Sequence, residues 1–336
     1  MKILLYSGHL KAIEKSGVGR AIYHQKKALD ENNVSYTTDE NEEFDIVHIN
    51  TLFPKSLFMS KRAKSRGKMV IYHAHSTEED FRNSFRGSNL LSPLFKKWII
   101  KCYKSADLII TPTKYSKSLL EGYGLKNHIV SISNGIDLNY FIKDEVGKKR
   151  FREKYHLNEN DKVIISVGLY IERKGILDFV DLAKIMPEYK FIWFGYSNLN
   201  TVSYNVKRAV QTKLPNLFFP GYVCREELKD AYSGSDLFIF LTHEETEGIV
   251  LLEALAMKIP VLIRDIPIYE GWLIDGKNIY KSKDILQFQD KIINILKKEV
   301  PALAESGYEV AKERDIKIIG QQLKNEYSKL YASIID

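Results

Sequence analysis

The chain has 336 residues, 44% of them hydrophobic and 28% charged, with two cysteines and a formal net charge of +7. That length suits two domains of about 150 residues each. No apolar run approaches the ~18 residues of a membrane span, and Cys102 and Cys224, one in each half, point to a reduced, cytoplasmic compartment rather than a disulfide scaffold or a cysteine zinc site. The basic excess is one-sided. Residues 1–150 carry 25 Lys/Arg against 16 Asp/Glu, residues 151–336 carry 25 against 27, and residues 51–126 carry 15 against 5. Such a surface calls for nucleic acid, anionic lipid or an acidic substrate, or is a solvated Lys-rich face.

Short apolar runs alternate with helical patterns along the chain, which is the mark of a parallel α/β architecture. The opening Met1-Lys2-Ile3-Leu4-Leu5-Tyr6-Ser7-Gly8 is too short for a signal peptide and reads as a buried strand. Further strands are expected at 45–50, 68–75, 107–113 and 128–133, with helices near 18–31, 54–66, 92–105 and 114–122. The charged stretch 143–154 reads as a domain boundary. The pattern then restarts, with strands at 162–168, 190–195, 216–219, 236–242 and 260–263. Helices are expected at 175–186, 204–213, 225–233, 248–257 and 284–299, and an amphipathic segment over 308–332 closes the chain. The expected division is 1–145, 146–312, and a C-terminal helix in 313–336 that packs back on the first domain. In doubly wound folds of this kind ligands bind at the carboxyl ends of the strands.

Several clusters sit at those strand ends. Ser16-Gly17-Val18-Gly19-Arg20 opens a helix, so Gly17 and Val18 either face a phosphate or form a structural turn. His73 and His75 alternate onto one strand face. They suit hydrogen bonds to a sugar or phosphate, a metal held with help from Glu78-Glu79-Asp80, or a purely structural role. Asn134-Gly135-Ile136-Asp137 is a turn, a hinge or a ligand contact. Gly168 precedes Arg173-Lys174-Gly175, where two adjacent cations fit a diphosphate or belong to a solvated loop. Residues 92–104 form a basic amphipathic helix with Lys96, Lys97, Trp98, Lys101 and Lys104, suited to an anionic membrane or to packing on a sheet. The most informative stretch is Glu245-Thr246-Glu247-Gly248-Ile249-Val250-Leu251-Leu252-Glu253-Ala254. It places two carboxylates around a strand-to-helix turn, where free backbone N–H groups bind phosphate. Carboxylates grip sugar hydroxyls, so the pattern suits a sugar joined to a phosphate. No Asp-x-Asp triplet is present to bridge a metal to a diphosphate.

These residues together resemble a retaining glycosyltransferase of family 4, with the GT-B fold of two facing Rossmann-like doubly wound parallel-sheet domains and a cleft between them. The likeness spans nearly the whole chain: Gly17/Gly19, His73/His75, Asn134–Asp137, Arg173-Lys174-Gly175, Gly221-Tyr222-Val223 and the Glu245/Glu253 pair. The last pair matches the family's E-x7-E motif. Many members carry Arg directly after the glycine at position 168, where this chain has Leu169, which leaves Arg173 as the alternative source of that charge. Within the family the phrases around His75–Phe81, Glu172–Phe179, Phe191–Gly195 and Glu244–Gly248 are most similar to bacterial enzymes that glycosylate diacylglycerol or monoglucosyldiacylglycerol.

The resemblance implies a UDP-sugar donor on the second domain. Glu253 would hold the ribose. Gly248, Ile249 and Val250 N–H groups would face the phosphate or sugar, and Glu245 would contact the hexose. Tyr222 and Val223 would lie beside the uracil, and Arg173 and Lys174 would stabilise the leaving UDP. His73 and His75 would serve catalysis, with the acceptor attacking near His75. The implied acceptor is a glycolipid, chiefly monoglucosyldiacylglycerol. Addition of the first glucose to diacylglycerol, or a polysaccharide or soluble acceptor, is the alternative. No cofactor or bound metal is expected, and no nucleic acid. The enzyme is expected on the inner face of the cell membrane, held peripherally.

Overall fold

The structure is a computed structural model and describes residues 1–8 and 16–335. The chain divides into two compact units, each built on a six-stranded, all-parallel sheet. The first unit comprises Met1–Phe81, Leu90–Asp137 and Arg314–Asp336, and the second comprises Arg82–Asn89 and Leu138–Glu313.

In the first unit the order is β1 (Ile3–Tyr6), α1 (Gly17–Glu31), β2 (Tyr36–Thr37), β3 (Ile46–Ile49), α2 (Pro54–Ser65), β4 (Met69–His73), α3 (Glu78–Phe81), α4 (Ser88–Tyr103), β5 (Leu108–Thr111), α5 (Lys114–Gly122) and β6 (His128–Ser131). Its strands lie in the order β2-β1-β3-β4-β5-β6. Both faces of this sheet are covered, so its inner strands are buried along their whole length and mostly apolar rather than alternating. Each wholly buried Ile or Leu contributes on the order of 2 kcal/mol. α13 (Ile316–Ile335) belongs to this unit. Ile319, Leu323 and Tyr327, spaced four apart on its buried stripe, join Ile3, Leu5, Ile46, Ile71, Leu108 and Ile110 in one cluster. α13 crosses α1 closely at Gly320, where a Cβ would stand 2.1 Å from Ala28 O.

The second unit runs α6 (Glu145–Lys154), β7 (Val163–Val167), α7 (Ile176–Ile185), β8 (Lys190–Phe194), α8 (Tyr204–Val210), β9 (Leu217–Gly221), α9 (Arg225–Gly234), β10 (Leu237–Phe240), α10 (Ile249–Ala256), β11 (Val261–Arg264), β12 (Tyr280–Ser282), α11 (Ile285–Leu296) and α12 (Ala304–Lys312). The strand order is β12-β11-β10-β7-β8-β9. The charged stretch 143–154 is a helix of this unit: Phe151 is buried, and Arg150 and Lys154 pair with Asp230 and Glu227 of α9. The amphipathic segment 308–332 is two helices, α12 and α13, interrupted near Asp315. Among the described residues no helix is long and apolar enough to cross a membrane.

Candidate functional site

The second unit gathers the cations and carboxylates at the carboxyl ends of β7 and β10. After β7 a 3-10 turn, Glu172–Lys174, ends at Gly175, whose φ of +79° suits glycine. A Cβ there would stand 2.2 Å from Leu241 O, so this turn lies directly on the end of β10. The contact is stitched by hydrogen bonds. His243 N donates to Arg173 O at 2.7 Å, and Thr242 Oγ1 donates to Glu244 O at 2.9 Å and to Arg173 O at 3.2 Å. Arg173, itself buried, donates to Glu244 O at 2.6 Å and to Ser84 Oγ at 3.2 Å. Lys174 forms an ion pair with Glu245, both nearly buried. Gly168 lets the Lys174 stem and Trp193 approach, 3.5 Å from where its Cβ would be.

Gly248 (φ +90°) caps α10 and again needs glycine, because a Cβ would meet the Phe240 ring at 2.9 Å. The first turn of α10 leaves N–H groups from Ile249 onward without helix partners, which favours an anion. Glu253, one turn further and wholly buried, accepts a hydrogen bond from Tyr232 of α9 at 3.0 Å. Tyr222 and Val223 follow β9 at the same edge, with Tyr222 exposed. The expected donor residues Gly168, Arg173, Lys174, Glu245, Gly248, Ile249, Val250 and Glu253 thus occupy adjoining strand ends and one helix start.

Three residues of this neighbourhood carry no legible sequence signal. Tyr232 orients Glu253. Arg264, buried on β11, donates to Leu241 O at 3.0 Å and pairs with Asp178, which also holds His243 Nε2 at 3.1 Å. Tyr269 is wholly buried; burial, then Glu245 and Glu244, push its phenol pKa well above the ordinary value, and its hydroxyl has no hydrogen-bond partner.

In the first unit, Gly17 and Val18 open α1, where Ser16 caps Gly19 N at 3.3 Å, and space beside Gly17 is open. His73 ends β4, and its ring stacks on His75 at 4.1 Å and on His48 of β3 at 5.3 Å. All three are buried, and burial drives them neutral: His48 and His75 are pushed down to about 3, and His73 is lowered with His75 and His48 adding to the effect. His75 Nε2 lies 3.0 Å from Asn50 Oδ1. Among the described residues no group of three metal-ligating side chains is assembled. The Asn134–Asp137 turn is bolted down: His24 Nδ1 contacts Gly135 O at 2.8 Å, and Lys27 pairs with buried Asp137.

On α4 the side chains of Leu90, Leu91, Leu94, Lys97 and Lys101 are exposed, as is Lys104 just past its end. Lys96 pairs instead with buried Glu78 at 2.9 Å, and Trp98 donates to Leu52 O at 2.7 Å and packs on the core. Of the five residues expected at a membrane, Lys96 and Trp98 are thus engaged within the first unit.

The family model for "Glycosyl transferases group 1" matches residues 147–314, and that for "Glycosyltransferase Family 4" matches residues 36–140. The "Processive diacylglycerol alpha-glucosyltransferase" of Acholeplasma laidlawii is 42% identical over 98% of this chain and 98% of that protein. The chain belongs to glycosyltransferase family 4. The family member "Alpha-galactosylglucosyldiacylglycerol synthase" of Streptococcus pneumoniae is 25% identical over 68% of this chain and 62% of its own length. Two solved structures share the fold: Anabaena HepE in complex with UDP and glucose (TM-score 0.76, 16% identity, 98% and 99% of the two chains), and the sucrose-phosphate synthase of Thermosynechococcus elongatus (TM-score 0.81, 16%, 99% and 100%). This family-4 glycosyltransferase accordingly has the GT-B fold, with two Rossmann-like domains.

Proposed function

We propose that this glycosyltransferase moves glucose from UDP-glucose, with retention, to a diacylglycerol-based acceptor, chiefly monoglucosyldiacylglycerol. The observation that carries the reading is the full-length 42% identity to a processive diacylglycerol α-glucosyltransferase, on a chain whose second unit holds a paired-cation, paired-carboxylate site. That relative's processive naming equally supports a first transfer to diacylglycerol itself.

In this reading Glu253, held by Tyr232, takes the ribose hydroxyls. The N–H groups at the start of α10 face phosphate or sugar, and Glu245 binds the hexose. Tyr222 and Val223 flank the uracil. Arg173 and Lys174 neutralise charge that grows on UDP as the bond from sugar C1 breaks. The acceptor oxygen bonds C1 on the face that UDP leaves, and its proton passes to a phosphate oxygen of the departing UDP. This chemistry is proposed to run without a bound metal, the cationic pair supplying the charge. His73 and His75 serve substrate binding in the first unit. The exposed stripe of α4, with leucines at one end and Lys97, Lys101 and Lys104 at the other, is proposed to dock on an anionic membrane surface.

The test is transfer of labelled UDP-glucose and UDP-galactose to diacylglycerol and to monoglucosyldiacylglycerol. The expected product is an α-glucoside of either lipid. Transfer confined to water-soluble acceptors would overturn the lipid assignment. Glu253→Gln is expected to raise the donor KM about tenfold or more, and unchanged donor kinetics would remove Glu253 from the site.

A further inference from the structure

A continuous hydrogen-bonded network leads from the C-terminal helix to the two histidines at the end of β4. Tyr327 of α13 is wholly buried, with its phenol oxygen 2.7 Å from His48 Nδ1. Gln25 Nε2 of α1 lies 2.9 Å from the same Nδ1 and 3.1 Å from His48 Nε2. An amide nitrogen only donates, so the nearer Nδ1 is an acceptor, for Gln25 and for the phenol proton alike. His48 then carries its own proton on Nε2, which faces His73 Nδ1 at 3.2 Å. His73 in turn is protonated on Nε2, a buried nitrogen with no hydrogen-bond partner among the described residues. On a second branch, Gln25 Oε1 accepts from Asn50 Nδ2 at 2.9 Å, which turns Asn50 Oδ1 toward His75 Nε2 at 3.0 Å. An oxygen there fixes the His75 proton on Nε2 and leaves Nδ1 with a free lone pair.

We propose that Tyr327 is a positioning residue for glycosyl transfer: together with Gln25 it fixes the tautomer of His48 and through it that of His73, while Gln25 and Asn50 fix that of His75. His73 is thereby held as an N–H donor and His75 as a lone-pair acceptor toward a hydroxyl-bearing substrate. The inference rests on the reading that His73 and His75 serve substrate binding. It adds a residue about 250 positions away, on a helix with no other claim to chemistry.

The test uses the full chain with 15N-labelled histidine and long-range 1H–15N spectra, which report tautomers directly. In the wild type His48, His73 and His75 are expected as single Nε2–H tautomers at pH 7. Tyr327→Phe removes only the hydroxyl. It is expected to mix the tautomers of His48 and His73 and to lower kcat about tenfold while the UDP-glucose KM stays within twofold. Asn50→Leu removes the oxygen that faces His75 and is expected to mix the His75 tautomers. An Nδ1–H form of any of the three in the wild type overturns the proposal, even where a variant fails to fold. Wild-type tautomers or wild-type kcat in folded Tyr327→Phe do the same. His75→Ala separates the two claims. Unimpaired transfer by that variant removes the substrate-binding role, whereas the spectra judge the wiring by themselves.

Discussion

At the end of β4, three imidazoles lie stacked, buried and uncharged, held by a phenol and two amides. At the ends of β7 and β10, in a sheet of the same parallel design, the buried polar groups are a lysine, an arginine and several carboxylates. The two sites solve one problem in different ways. A charge taken from water must be paired or abolished, because an isolated one costs several kcal/mol. The histidine site abolishes it, since desolvation keeps the rings neutral. The cation site pairs it. Neutral donors and acceptors suit hydroxyls, whereas paired cations with helix N–H groups suit a departing diphosphate.

The largest expected effect comes from breaking the frame of the charged site. Gly175→Ala should destabilise by about 3 kcal/mol or more, because it adds left-handed strain to a clash with Leu241 O. A denaturation midpoint like that of the wild type would show that the turn can move away from β10. Next, Lys174→Met leaves Glu245 buried without its cation and should cost about 3 kcal/mol. Adding Glu245→Gln should restore most of that stability, and failure of the second change to rescue the first would deny the pairing. The neutral site is probed by pH. The unfolded histidines titrate near 6.5 and the folded ones far lower, so the unfolded chain binds protons that the fold excludes. Stability is therefore whole above pH ~6.5 and falls below it, by up to about 1.4 kcal/mol per pH unit for each histidine. His48→Gln should flatten the urea-measured slope between pH 6.5 and 5; an unchanged slope would place the protons elsewhere. The smallest effect concerns the unpartnered hydroxyl of Tyr269. Tyr269→Phe should change stability by less than about 1 kcal/mol, whereas Tyr327→Phe, which orphans a network, should cost about 1–2 kcal/mol. Equal costs would erase the contrast between the two buried tyrosines.

Much of this was legible from residue order. The inner strands of both sheets are buried and mostly apolar runs, and the turns around Gly175 and Gly248 stand beside the charges they position. The edge strands β2 and β12 were not foreseen, since two- and three-residue strands leave no period to detect. The charged α6 passed for a linker because its buried side chains are few. Lys96 and Trp98 belong to the same basic amphipathic segment as the outer lysines, whereas partners on other elements decide their direction. The Arg264–Asp178–His243 cluster and the Tyr327–His48 contact join residues 65 to 279 positions apart, and no local pattern encodes such pairings.

The late position of α13 has a consequence for synthesis. His48 leaves the ribosome 279 residues before Tyr327. At typical elongation rates of about 5–20 residues per second, that gap lasts roughly 15 to 55 s. During this interval Ile3, Leu5, Ile46, Ile71, Leu108 and Ile110 lack the helix that shields one face of their sheet. The second unit, continuous from Leu138 to Glu313 apart from one short earlier segment, has its chain in hand first. Of the two units, the one that comes earlier in the chain is the last to be completed, and its apolar face stays open to water in the meantime.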